Sequence, residues 1–180
     1  MKHVLFIVMV LTMASCSSVK VAYDYDKQAD FTKYKTYAFT EDVAKMPVDD
    51  LNRGRIISAV EAELAAKGFT KSENPDALID IFITAKKRTE AVANTTGPGM
   101  YGGGYYGRYG YGGGFSTTTV SYNDYLDGTM LINMVDKSTE KIVWQGRGTK
   151  TLDEDASASK REQNINYAVK QIFTNYPPKK

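Results

Sequence analysis

From Val19 onward the chain alternates apolar and polar positions. Val19, Val21, Tyr23 and Tyr25 interleave with Lys20, Ala22, Asp24 and Asp26, the period-two pattern of a strand with one buried face. A second short strand is expected over residues 35–40, where Thr36, Tyr37 and Phe39 are strand formers. Pro47 and the Asp49-Asp50 pair announce a helix, because carboxylates suit its first turn and Asp accepts from free backbone N–H groups there. Its buried face reads Ile57, Val60 and Leu64, and Gly68, between Lys67 and apolar Phe69, should end it in a left-handed cap. Asn74-Pro75-Asp76 then turns the chain into a strand over residues 77–85. Ile79, Ile81 and Ile83 share one face, while Leu78 and Phe82 on the other suggest a central strand covered in part on both sides.

Strand composition resumes over residues 117–125. Residues 129–135 and 141–148 then form a hairpin across Asp136-Lys137-Ser138-Thr139-Glu140, with Ile142 and Trp144 on its inner face. The last helix is expected from about Ser159, whose Ser159-Lys160-Arg161-Glu162 has the form of a capping box. It places Ile165, Val169, Ile172 and Tyr176 on one face and ends at Pro177-Pro178. The order β-β-α-β-β-β-β-α implies an α+β fold: a mainly antiparallel sheet of about six strands with two helices packed on one face.

Ahead of this domain, behind Met1-Lys2-His3, residues 4–11 form an unbroken apolar run. A helix crossing the hydrocarbon core needs about 20 apolar residues, so the run reads as a signal peptide and not as a spanning anchor. Met13-Ala14-Ser15-Cys16 resembles the bacterial lipobox, with Met13 where Leu is usual. The resemblance implies a signal peptide over 1–15 and a lipidated Cys16 carrying palmitate-like chains. A tether over 16–18, a single domain over 19–176 and a tail over 177–180 follow. Each buried methylene contributes about 0.8 kcal/mol, so two or three chains hold a protein on a bilayer where one holds it marginally. By resemblance to sorted lipoproteins, Ser17 after the Cys, in place of Asp, implies the outer membrane, with the domain on its periplasmic face.

The segment 97–115 breaks the pattern. Ten of the 15 glycines fall there, with five of the 13 tyrosines (Tyr101, Tyr105, Tyr106, Tyr109 and Tyr111) and Arg108 as the only charge. Helix and strand propensities are low in such a composition. Two readings stand: a solvated surface insertion, or a binding loop in which these tyrosines and Arg108 form an aromatic platform for a glycan or a protein.

Composition narrows the chemistry. The balance of 42% hydrophobic and 24% charged residues is that of a globular domain, and a formal net charge of +2 is too small to draw nucleic acid. The one His is His3 and the one Cys is Cys16. With both assigned to the leader and anchor, the domain has no imidazole and no free thiol for nucleophilic catalysis, metal ligation or a disulfide. No metal and no cofactor are expected.

Three motifs in the chain resemble sites of other chemistry. Gly102-Gly103-Gly104-Tyr105-Tyr106-Gly107 matches G-x-G-x-x-G, but a dinucleotide turn needs a strand before it and a helix after it. Asp24, Asp26 and Asp30 sketch a calcium loop, yet Gln28 and Ala29 stand where such a loop needs an oxygen ligand and a Gly. Asp153-Glu154-Asp155 offer carboxylates for glycoside chemistry, which needs two of them across a cleft, one with a raised pKa. Adjacent acids just before a helix are more simply a solvated, dipole-favoured loop.

Several stretches together carry a family resemblance. They are Tyr23-Asp24-Tyr25-Asp26, then Ala29-Asp30-Phe31-Thr32-Lys33-Tyr34-Lys35-Thr36-Tyr37-Ala38-Phe39, then Ala59-Val60-Glu61-Ala62-Glu63-Leu64 with Lys67-Gly68-Phe69, Asn74-Pro75-Asp76-Ala77-Leu78-Ile79, and Val143-Trp144-Gln145-Gly146. In these the chain resembles the bacterial lipoproteins of domain of unknown function 4136, with Phe39 where that family more often has Trp. The resemblance implies a lipid-anchored envelope protein and assigns no activity or site residue. The expectation is a non-enzymatic binding or scaffold domain, partnered with the membrane through Cys16 and with an envelope protein or glycan, not with nucleic acid. The alternative is a carboxylate-dependent cell-wall hydrolase or an accessory factor of one. Replacing Cys16 by Ser should release the chain from the membrane pellet on fractionation; normal processing with retention in the pellet would show that acylation is not the anchor.

Overall fold

The computed structural model describes residues 19–96 and 117–178. Six strands form one sheet: β1 (Lys20–Tyr25), β2 (Thr36–Phe39), β3 (Thr70–Lys71), β4 (Ala77–Thr96), β5 (Thr117–Asp136) and β6 (Ile142–Thr151). Two helices, α1 (Asp50–Ala66) and α2 (Ala158–Phe173), complete the α+β fold. The strand order is β1-β6-β5-β4-β2-β3. The pairs β1/β6, β6/β5 and β5/β4 are antiparallel, whereas β4/β2 and β2/β3 are parallel, because the chain leaves β2 and returns through α1.

Period-two patterning sorts the residues onto two faces. Tyr25, Trp144, Met134 and Ile79 form one inward row across four strands, and Tyr23, Gly146, Ile132 and Ile81 form the next. Ile56, Val60 and Leu64 of α1 and Val169, Ile172 and Phe173 of α2 join Ile79, Ile81, Ile132 and Met134 in one buried cluster. Both helices therefore cover the same face. On the other face Asp24, Gln145, Asn133 and Asp80 make a polar row, in which Gln145 Nε2 donates to Asn133 Oδ1 at 2.9 Å. Cover on this face is partial: Leu78 is half-buried and Asn133 buried, whereas Phe82 is 46% exposed. The central position of β4 comes from backbone pairing on both edges, which asks nothing of its second face.

The cap at the end of α1 forms as expected. Gly68 has φ +84°, its N–H donates to the Ala65 carbonyl at 2.9 Å, and the Phe69 N–H donates to the Leu64 carbonyl at 3.0 Å. The buried face of α1 centres on Ile56, Ala59, Val60 and Leu64, with Ile57 only half-buried. Adjacent isoleucines satisfy the same spacing, and the sequence pattern does not choose between them. Helix α2 begins two residues earlier than its apparent box: Ser157 caps it, its Oγ accepting from the Lys160 N–H at 3.3 Å, and Ser159 lies inside the first turn.

Two inner-face expectations are corrected. Ile142 is 51% exposed, because the β5/β6 register passes from Met134↔Trp144 to Val135↔Ile142 and skips Val143, a bulge that turns Val143 and Trp144 into the core and Ile142 out. Tyr176 is buried but not helical. It lies beyond Phe173, with ring centroids 5.2 Å from Trp144 and 5.8 Å from both Phe31 and Phe69. Phe173 takes the helical position against Trp144, stacked at 5.4 Å.

Helix α2 comes this close to β6 because the strand carries Gly146 and Gly148 on its inner face. A Cβ at Gly146 would lie 2.5 Å from the Trp144 ring and 2.6 Å from Ile172, and one at Gly148 would lie 2.9 Å from Ile172. Ile172→Ala should cost about 2–5 kcal/mol and Gly146→Ala about 1–3 kcal/mol in chemical denaturation. The double variant should lose less than the sum, since removing the branched side chain makes room for the new methyl group; strict additivity would show that this approach is not the constraint.

Candidate functional site

Cys16, expected as the lipid anchor, and Tyr101, Tyr105, Tyr106, Arg108, Tyr109 and Tyr111, expected as a binding loop, lie outside the described residues. What the structure does show is the element that flanks the tyrosine tract. Strands β4 and β5 were expected as shorter pieces, 77–85 on one side and 117–125 and 129–135 on the other. Instead each runs unbroken for 20 residues in one register, from Ala77↔Asp136 to Thr96↔Thr117. The Asp127-Gly128 pair, which lies between the two expected pieces, is carried straight through. Gly128 lies under Leu152, and Asp127 is held by its neighbours.

Nine register pairs, from Arg88↔Tyr125 to Thr96↔Thr117, have no third strand beside them among the described residues. At about 3.3 Å per residue this two-stranded ribbon extends roughly 30 Å beyond the sheet. Its root is knotted electrostatically. Arg88 Nε donates to Asp127 Oδ2 at 2.8 Å, its guanidinium lies 5.1 Å from the Tyr125 ring centroid, and it also pairs with Glu90. Thr151 Oγ1 donates to the other Asp127 oxygen at 2.7 Å, tying the ribbon to the end of β6. These bonds hold the Asp127 carboxyl below the usual carboxylate range, Arg88 contributing most. Farther out, Tyr122 is 72% exposed and Val120 48%, opposite Ala91 and Ala93 on one face.

The other polar clusters serve the fold. Asp24 and Asp26 accept from nearby backbone N–H groups, Tyr25 N at 2.8 Å and Gln28 N at 2.8 Å, and Asp30 accepts from Thr32 N at 3.0 Å. Among the described residues no group of three or more His, Cys, Asp or Glu is placed to hold a metal ion. Asp153, Glu154 and Asp155 are exposed ahead of α2, with Asp153 Oδ1 accepting from Asp155 N at 3.2 Å. Asp76 accepts from Lys35 N, Thr36 N and Thr36 Oγ1 at 3.0, 2.9 and 2.8 Å, which pins the start of β2 to the turn before β4.

Asp136 is the most deeply held carboxylate of these. It accepts from Lys33 Nζ, from Tyr34 Oη at 2.8 Å, from Ser138 N and Oγ at 2.8 and 2.6 Å, and from Thr139 N at 3.0 Å. The Lys33 hydrogen bond, then that of Ser138, holds its carboxyl far below the ordinary 3.8, against the opposing effect of burial. A carboxyl with a depressed folded pKa stabilises fully above its unfolded pKa and loses that contribution as pH falls below it. Asp136→Asn should therefore cost about 2–3 kcal/mol at neutral pH, less than a fully buried pair because Lys33 is half in water. It should also flatten the acid loss of stability below pH about 4. Parallel stability–pH curves for wild type and variant would refute the assignment.

The fold and these clusters define a small α+β domain with helices on one sheet face and a long hairpin projecting from the sheet. The chain belongs to the family described as domain of unknown function (DUF4136), whose model matches residues 21–178. Among solved structures it is similar to a PDZ domain protein from Parabacteroides distasonis ATCC 8503, at 20% identity and a TM-score of 0.53 over 90% of this chain; it spans 36% of that protein. It is also similar to the PelC dodecamer from Paraburkholderia phytofirmans in two structures, both at 10% identity. These have TM-scores of 0.42 and 0.44, over 87% and 91% of this chain and 95% and 100% of the other. No curated protein matches it.

Proposed function

We propose that the chain is a lipid-anchored, non-enzymatic binding or scaffold domain at the outer membrane, which engages an envelope protein or glycan through the β4–β5 ribbon. The observation that carries this reading is the ribbon itself: nine paired residues on each strand with both outer edges free among the described residues. A two-stranded hairpin is marginally stable alone in water, and unpaired edges accept a further strand through main-chain hydrogen bonds. Thr96 and Thr117, at the far end, flank the tyrosine tract, so the tract is covalently attached where the ribbon ends.

Anchoring draws its support from the apolar run before Met13-Ala14-Ser15-Cys16. In addition, no helix among the described residues is long and apolar enough to cross a membrane. The register adds a geometric argument. Lys20 lies in one row with Thr149, Thr129 and Thr84, at the root of the ribbon, so the chain enters the fold at the end from which the ribbon projects. The three steps from Cys16 to Val19 span at most about 11 Å, against roughly 30 Å of ribbon. A lipid on Cys16 would thus bring the ribbon alongside the bilayer, where membrane-bound partners are concentrated.

A hydrolase would need a carboxylic acid with a raised pKa. The described carboxylates with displaced values, Asp49, Asp76, Asp127 and Asp136, all shift downward, held ionised by hydrogen bonds within the fold. The test is capture of envelope extract and peptidoglycan fragments on the full chain. A variant with Val120 and Tyr122 changed to Ser, and a second with Tyr105, Tyr106, Tyr109 and Tyr111 changed to Ser, should each lose partners retained by the wild type. Unchanged capture by both would remove the ribbon and its tract from the binding surface.

A further inference from the structure

The inner row of β6 reads Trp144, Gly146, Gly148, Lys150, so a lysine stands on the helix-facing side of the sheet, where the preceding positions are buried. It borders an apolar cleft of about 580 Å³ between the sheet and the two helices. Ile83 and Met130 form its floor, Val48, Ile56 and Ile165 its sides, and Leu152 its end. Ile83 and Ile165 sit at positions whose spacing marks them for the core, yet both are only half-buried because the cleft opens over them. Ligand sites are typically about 300–1,000 Å³, mostly apolar, with a few placed polar groups.

Lys150 supplies such a group. Its Nζ donates to Asn164 Oδ1 at 2.8 Å, a neutral acceptor. Burial, then repulsion from Lys160, pulls its pKa down, and Asp153 offsets this in part. Lys150, Leu152, Asn164 and Ile165 also line a second, more polar cleft of about 350 Å³ together with Arg161, Asp153 and Glu154. The two spaces meet at the lysine, one apolar and one polar. Val19, where the chain enters the fold, borders the apolar one.

We infer that this cleft binds a long-chain fatty carboxylate, with its hydrocarbon chain between the helices and the sheet and its carboxylate on Lys150 and Asn164. A tail-sized apolar space closed by a half-buried cation complements a single negative charge on an aliphatic chain. Asp153 and Glu154 on the polar side disfavour a multiply charged headgroup. Acyl chains carried by Cys16 itself would present uncharged linkages and leave Lys150 without a counter-charge. Supply of the ligand from a bilayer rests on the anchoring reading, whereas the chemistry of the cleft does not.

The experiment uses the full chain in phosphatidylcholine nanodiscs, with palmitate bearing a photoreactive group near the end of its tail as the probe. Labelling should map to peptides containing Val48, Ile56 or Ile83, which line the apolar cleft and not the polar one, and unlabelled palmitate should compete at least about tenfold better than hexadecanol, which lacks the charge. Lys150→Met should abolish that preference, and Ala168→Phe, which fills the cleft from α2, should abolish labelling, both with thermal unfolding close to wild type. The wild-type comparison of acid with alcohol stands even if a variant fails to fold. Equal competition by acid and alcohol, labelling elsewhere in the chain, or labelling that occurs only in Cys16→Ser would each overturn the inference; the last would mean that the chain's own lipid fills the cleft. Release of Cys16→Ser from membranes with palmitate labelling retained would separate a correct cleft from its membrane supply.

Discussion

The close approach of α2 to β6 is the constraint on which the rest of this structure depends. Two glycines on the inner face of one strand let Ile172 settle almost onto the backbone, and this sets the height at which Phe173 stacks on Trp144. Trp144 in turn presents its edge to Tyr176, which meets Phe31 before β2 and Phe69 after α1. Aromatic rings from four separate parts of the chain thus converge on one strand. Interiors pack to crystalline density, so a strand with side chains in place of those glycines would lift the helix and loosen every ring above it. Close seating at one end also opens the other. Past Gly148 the inner row of β6 continues to Lys150, the helices no longer cover the sheet fully, and the apolar cleft begins.

The stretches that carry the family resemblance turn out to be structural when traced through the molecule. Tyr34 and Lys33 reach Asp136 across about a hundred residues of sequence, Thr36 and Lys35 bind Asp76 of the Asn-Pro-Asp turn, and Tyr37 is buried beside Phe39 and Phe69. These contacts join the β2 side of the sheet to the hairpin turn after β5. Polar groups that satisfy one another in this way are expensive to break singly, because each loss leaves a desolvated partner. Such residues identify a fold and leave its activity open.

Local signals were legible where one residue type decides the outcome. Gly68 adopts the only backbone conformation that closes α1 in that way, Asp49 caps the helix start, and the isoleucines of β4 declare their face by alternation. Signals failed where two residues compete or where a distant partner decides. Ile56 and Ile57 both fit a helical face, and Ser159 has the box with Glu162 while Ser157, with Lys160 at that position, makes the actual cap. The bulge at Val143 shifts Ile142 outward through pairing with β5, which no local pattern records. The length of β4 and β5 was hidden because Lys86, Lys87, Arg88, Asp127 and Gly128 read as loop; their strand conformation follows from the ladder and from the Arg88–Asp127–Thr151 knot, both long-range. The role of Lys150 is hidden in the sequence for the same reason: it comes from the face of the sheet the residue occupies, not from its neighbours along the chain.

The ribbon root, the mouth of the cleft and the entry of the chain share one end of the molecule because they lie at one level of the sheet. Lys20, Thr149, Thr129 and Thr84 mark that level, beyond which β6 soon ends and β4 and β5 continue alone. A ribbon that leaves the sheet loses the helix layer that would bury one of its faces, so its stability beyond the root rests on backbone pairing and on small cross-strand contacts such as Thr89 with Asp124 and Thr95 with Thr118. A partner strand or an apolar surface can add the contacts the ribbon lacks without disturbing the aromatic core, because the Arg88–Asp127–Thr151 knot separates the two. In the body the conformational entropy of ordering is offset by burial; in the arm, on the binding function proposed above, a partner would supply the burial that the arm lacks.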